Sequence, residues 1–163
     1  GRLLEPLMRR AARGLTLIEL LVGMVILAVL LALVVPSFRS VMGERALAGA
    51  ANELSTDLQY ARATAVAGNQ NVTVATTSAS GYTITGAQTL KTVALRSELS
   101  LNHPTTVTFN ALRGCPTATC TSGSATLTLS SSQVSATAQV ATNNMGRVQL
   151  CSPSGTLRGM PAC

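Results

Sequence analysis

Leu15 to Val35 is a run of 21 residues interrupted only by Thr16, Glu19 and Gly23. As a helix, that length spans the ~30 Å hydrocarbon core of a bilayer, whereas a cleavable secretory core is usually about 7–15 residues. No small-x-small cleavage site leading into a polar domain follows it. Arg2, Arg9, Arg10 and Arg13 precede the run, against a mixed Arg39, Glu44 and Arg45 beyond it. This asymmetry places the N-terminus in the cytoplasm and the rest of the chain across the membrane.

A plain anchor has no use for Glu19. A carboxylate in the apolar zone costs a few kcal/mol unless partnered, which marks it as functional. A cut after Gly14 would create an α-amino group on Leu15, four residues before Glu19. Between neighbouring copies the two charges could neutralise each other, as suits a subunit that leaves the bilayer for an assembly.

The basic leader ending in Gly14, the stretch Leu15-Thr16-Leu17-Ile18-Glu19-Leu20-Leu21, the apolar helix and Pro36 together resemble the class III signal of type IV pilins and type II secretion pseudopilins. The resemblance implies that a membrane prepilin peptidase cuts between Gly14 and Leu15 and methylates Leu15. It also implies that Glu19 and Pro36 serve assembly. The family usually has Phe where this chain has Leu15. The implied organisation is a leader (1–14), a transmembrane half-helix (15–35), an amphipathic half-helix (36–68) and a periplasmic β-rich domain (69–163). The implied location is the bacterial inner membrane, then a pilus or pseudopilus. The implied partners are other major and minor pilins, the peptidase and an inner-membrane assembly platform.

Beyond the membrane, Leu47, Ala51, Leu54, Leu58, Ala61 and Ala65 recur at helical spacing, with Asn52, Gln59 and Arg62 off the stripe. Half the stripe is alanine, which suits close packing on a sheet. Pro36 is expected to kink or open the helix rather than end it, and Gly68-Asn69 to stop it. A helix from about Thr16 to Ala67 is roughly 75 Å long at ~1.5 Å per residue. The remainder alternates: VTVATT, YTIT, LKTVAL, TTVTF, ATLTL and GRVQLC read as short strands between turns, while SSSQVSATAQVATNN is undecided between strand and loop. The expected class is α+β, with one long helix on a small, mostly antiparallel sheet. With two Tyr, two Phe and no Trp, the core is thin and invites covalent fastening.

LSTDLQYARATAVAGNQNVTV (Leu54 to Val74) is similar to the FimT/GspH group of minor pilins and pseudopilins, and GRVQLCSPSG adds a weaker match. Cys115, Cys120, Cys151 and Cys163 allow three pairings, of which the local ones, Cys115–Cys120 and Cys151–Cys163, are expected in an oxidising compartment. The four lack paired CxxC spacing for zinc. His103, in LNHP, has no companion histidine or acidic cluster, and SGTLRGMP lacks the context of a phosphate loop. No enzyme, metal or cofactor is read from these residues.

Charge supplies the remaining signal. Beyond Gly68, Lys91, Arg96, Arg113, Arg147 and Arg158 face Glu98 alone, and no carboxylate side chain follows Glu98. The FimT branch uses a C-terminal Gly-Arg-x-Arg motif to hold DNA, and this chain has Gly146-Arg147-Val148-Gln149. The resemblance therefore implies a minor pilin that binds DNA for uptake through Arg147, with Gln149 where the motif has its second arginine; the excess of positive charge adds Arg158 and Arg113, and a double-stranded partner held without sequence specificity. The alternative is a structural or priming minor pilin, or a GspH-type pseudopilin of a secretion system.

Overall fold

In the computed structural model, residues 14–116, 120, 123–153 and 157–163 are described. They form helix α1 (Leu17–Ala67) and strands β1 (Val72–Ser78), β2 (Gly81–Thr85), β3 (Thr89–Ala94), β4 (Leu99–Leu101), β5 (Thr105–Phe109), β6 (Ala125–Ser131), β7 (Thr137–Thr142) and β8 (Val148–Cys151). The chain separates into two compact units, Gly1–Ser37 and Phe38–Cys163.

In the first unit, Thr16 starts α1. Its Oγ1 accepts the Glu19 N–H at 3.3 Å and its carbonyl accepts the Leu20 N–H at 3.1 Å. This is the N-cap geometry that satisfies an otherwise orphaned donor. The large apolar side chains from Leu15 to Val35 are 45–83% exposed, so the chain itself gives them no cover. The helix is long and apolar enough to cross a membrane, and it continues through Pro36.

In the second unit, all six residues of the helical stripe, Leu47 through Ala65, are fully buried. α1 ends at Ala67, and the left-handed residue after it is Asn69 (φ 47°) rather than Gly68. The strands form two four-stranded antiparallel sheets, ordered β3-β2-β1-β5 and β4-β6-β7-β8. Alternate residues of both enter one core: Val72, Val74, Tyr82, Ile84, Val107 and Phe109 from the first, and Leu99, Leu101, Leu127, Leu129, Ala138 and Val140 from the second. The sequence suggested one sheet. The division arises because β5 returns beside β1, whereas β4, only three residues long, pairs with β6. The undecided stretch after Leu129 completes β6 and supplies β7.

A polar clasp fastens α1 to the first sheet. Asp57, buried on the helix, accepts a hydrogen bond from the Tyr82 hydroxyl (2.7 Å) and two from Lys91 Nζ (2.8 and 2.7 Å). Lys91 also reaches Glu53 at 3.3 Å. Tyr82 and Lys91 lie on β2 and β3, so one helical carboxylate ties down both strands. Burial, and then the bond to Asp57, hold the Tyr82 hydroxyl well above its ordinary value, and the bond to Asp57 raises Lys91.

Disulfides join Cys115 to Cys120 and Cys151 to Cys163. The second draws the tail alongside β8, where Ser152 pairs with Ala162 and donates its N–H to the Pro161 carbonyl at 2.8 Å. Closing so short a loop contributes at the low end of ~2–4 kcal/mol. Cys151→Ser is therefore expected to release the tail carrying Arg158 while the body stays folded. Limited proteolysis should nick the tail first. Global unfolding, with loss of the β-sheet circular dichroism, would contradict this division of labour.

Candidate functional site

Arg62, Arg113 and Arg147 line one open cleft of about 630 Å³ with Gln59, Ala63 and Val66 of α1 and with Gly146 and Val148. No acidic residue lines it. Arg62 reaches it from the last turns of α1, half-buried, with Nη2 donating to the Met145 carbonyl at 3.2 Å. Arg113 and Arg147 are exposed on two turns from different parts of the chain.

Each turn is built on an asparagine. The Asn110 side-chain oxygen accepts the Leu112 N–H at 2.9 Å, and Gly114 N–H closes onto the Asn110 carbonyl at 2.8 Å. Likewise the Asn143 side-chain oxygen accepts the N–H groups of Met145 (3.0 Å) and Arg147 (2.8 Å), and Gly146 N–H closes onto the Asn143 carbonyl at 2.9 Å. The turns meet at their glycines. Gly114 (φ +62°) and Gly146 (φ +74°) both have left-handed backbone, and a Cβ at Gly146 would collide with the Gly114 carbonyl oxygen. Arg62 Nε would stand 3.2 and 3.1 Å from a Cβ at Gly114 and Gly146 respectively. Only glycine permits this approach, and it sets the spacing between Arg113 and Arg147.

The acidic residues nearest in the sequence to the sheets are engaged elsewhere. Glu53 and Asp57 engage Lys91, and Glu98 lies 4.0 Å from Arg96. Among the described residues, none of the three cleft arginines has a carboxylate partner. Three cations converging without acids make a site for an anion, with room for an extended one.

Of the residues singled out in the sequence, the fold brings Arg113 and Arg147 together and adds Arg62, a polar residue off the helical stripe. Gln149, exposed on β8, is outside the lining of the cleft. Arg158 lines another cleft, of about 430 Å³, with Ser40, Val41, Glu44, Arg45, Ala48 and Leu157. Ala48 and Gln59 of the two clefts are separated by roughly 16 Å of helix. Arg158 therefore does not substitute locally for the missing second arginine of the motif. His103 is an exposed turn residue with Nδ1 3.4 Å from the Leu101 carbonyl. At the other end of the chain, Gly14 and Leu15 are exposed just before α1, and Thr16 with Glu19 has the spacing of a capping box, a local signal that the sequence reading passed over.

The sequence profile of the family described as Type II transport protein GspH matches residues 50–158, more than half of the chain. That of the prokaryotic N-terminal methylation motif matches residues 9–35. No curated protein matches the chain. The fold is similar to that of the type IV minor pilin FimU of Pseudomonas aeruginosa PAO1. In one crystal form the TM-score is 0.55 at 21% identity, over 70% of this chain and 93% of that one. In another it is 0.54 at 22% identity, over 70% and 98%. An N-terminal methylation signal, a membrane-length helix and this fold are the features of membrane-anchored structural pilins, which are processed by prepilin peptidase and assemble with one another. The chain belongs to the GspH family of minor pilins and type II secretion pseudopilins.

Proposed function

We propose that the chain is a minor pilin that holds duplex DNA without sequence specificity, for uptake by a pilus. The supporting observation is the convergence of Arg62, Arg113 and Arg147, without a carboxylate, on one cleft. In this reading residues 1–14 are the leader removed before Leu15, and 15–35 the transmembrane half of the helix. Residues 36–68 are its amphipathic half, and 69–163 the periplasmic domain. The N-terminus begins in the cytoplasm, and the inner-membrane assembly platform delivers the processed subunit to the filament.

For about three phosphate contacts, the slope of log affinity against log salt is near −3, since each contributes about −0.9. With so few contacts, all of them to phosphate, affinity is weak and carries no direct base readout. The test is a titration of the full chain in detergent with labelled duplex at low and moderate salt. Arg147→Gln is expected to weaken binding about tenfold and flatten the slope by about one. Arg62→Gln is expected to act similarly, and Arg158→Gln only slightly. Equal binding by the native chain and Arg147→Gln would overturn the assignment. It would leave the second reading, an assembly or priming subunit, which the family's description as a type II transport protein favours.

A further inference from the structure

Resting on the DNA reading above, we propose that Leu112 and Met145 are wedges that enter the duplex between base steps. Arg113 and Arg147 beside them hold the flanking phosphates. The site thereby selects DNA that is easily unstacked.

The two most exposed large apolar side chains of the unit Phe38–Cys163 are Leu112 (78%) and Met145 (62%). Single exposed apolar residues are ordinary on protein surfaces. Here both extremes fall on the two turns that carry the cleft's arginines, Leu112 immediately before Arg113 and Met145 two before Arg147. The same device holds each. Its backbone N–H is bonded to the side-chain oxygen of the asparagine two residues earlier, at 2.9 Å for Leu112 and 3.0 Å for Met145. Neither tip is therefore a loose end.

The glycine contact bounds the span between them. Leu112 is two residues from Gly114 and Met145 is adjacent to Gly146. Three chain steps of ~3.8 Å plus the contact keep the Cα atoms within about 16 Å. That is about five base steps at ~3.4 Å each, so both tips and both arginines can engage one short stretch of duplex.

Apolar side chains flanked by arginines are the means by which proteins kink DNA from the minor groove. They unstack a step at a cost of a few kcal/mol and make good that cost through extra backbone contact. The cost is smallest where stacking is already poor, at pyrimidine–purine steps, mismatches and bulges. The three cations line an open cleft beside the two turns with no carboxylate among them, which suits the closely spaced phosphates of a polyanion. A flat anionic bilayer would meet the tips but leave the half-buried Arg62 out of reach.

The test compares a short labelled duplex with the same duplex carrying a central bulge, using the full chain in detergent. The native chain is expected to bind the bulged duplex about tenfold more tightly. Leu112→Ser combined with Met145→Ser is expected to weaken both complexes and erase the preference while keeping the salt slope. Arg147→Gln should flatten the slope and keep the preference. Because both tips are exposed, serine at either leaves the fold intact. Equal affinity of the native chain for both duplexes overturns the wedge assignment alone. Absence of binding to either at low salt overturns the DNA reading and the wedge with it. Binding to anionic vesicles and not to DNA would reassign the tips to a lipid surface.

Discussion

Asp57→Ala is expected to destabilise the unit Phe38–Cys163 by about 3 kcal/mol and to lower its melting temperature by about 10 °C. The loss has two parts. The Tyr82 hydroxyl, buried against the helix, loses Asp57 as its acceptor, and an unsatisfied buried group costs about 1–3 kcal/mol. Lys91 loses its shortest contact, but its side chain is 39% exposed and rehydrates, so this part is modest. Tyr82→Phe removes only the hydrogen bond and should cost about 1 kcal/mol.

The clasp also sets a pH dependence. Tyr82 and Lys91 both release their protons at higher pH in the folded chain than in the unfolded one. As pH rises past about 10, where both groups ordinarily titrate, the unfolded state loses protons first and stability falls. Below that, the contribution is fully present. Thermal melts across neutral to alkaline pH check both statements. An Asp57→Ala chain that melts within a degree or two of the native one, with the same alkaline limb, would show that the clasp is ornamental.

Glu19→Ala is expected to abolish incorporation into filaments while leaving insertion and processing intact. Removing a carboxylate from an apolar helix makes insertion easier by a few kcal/mol. Replacing the side chain does not touch the Gly14–Leu15 bond, and Thr16 still caps α1 through the Glu19 N–H, a backbone group. What is expected to disappear, on the assembly role proposed for Glu19, is the countercharge for the amine of processed Leu15 in a neighbouring subunit. Intact mass of the membrane fraction should show loss of residues 1–14 and gain of one methyl group in native and variant chains alike. Sheared filaments should contain only the native chain. Variant protein at native abundance in those filaments would remove Glu19 from the assembly mechanism.

Local periodicity made the backbone of the fold legible. The stripe Leu47-Ala51-Leu54-Leu58-Ala61-Ala65 is a one-dimensional record of one buried face, and all six residues are in the core. β4 was illegible because three residues carry too little alternation to stand out. β7, with small Ala138 and polar Thr142 at two of its buried positions, lacks the bulky contrast that marks a strand. The site divides in the same way. A C-terminal half with arginines and no acids was visible as composition. That Arg113 and Arg147 belong together, that Arg158 does not, and that Arg62 joins them depends on contacts between distant segments, such as the bond between Arg62 and Met145, 83 residues apart. The Asp57–Tyr82–Lys91 clasp was hidden for the same reason, since no spacing rule links a helical carboxylate to two later strands.

The seating of Gly146 on Gly114 gives the paired turns the character of a socket. Their separation is a property of the main chain, so Leu112, Arg113, Met145 and Arg147 can be exchanged without repacking anything beneath them. A library randomised at those four positions would vary the presented side chains on an unchanged frame.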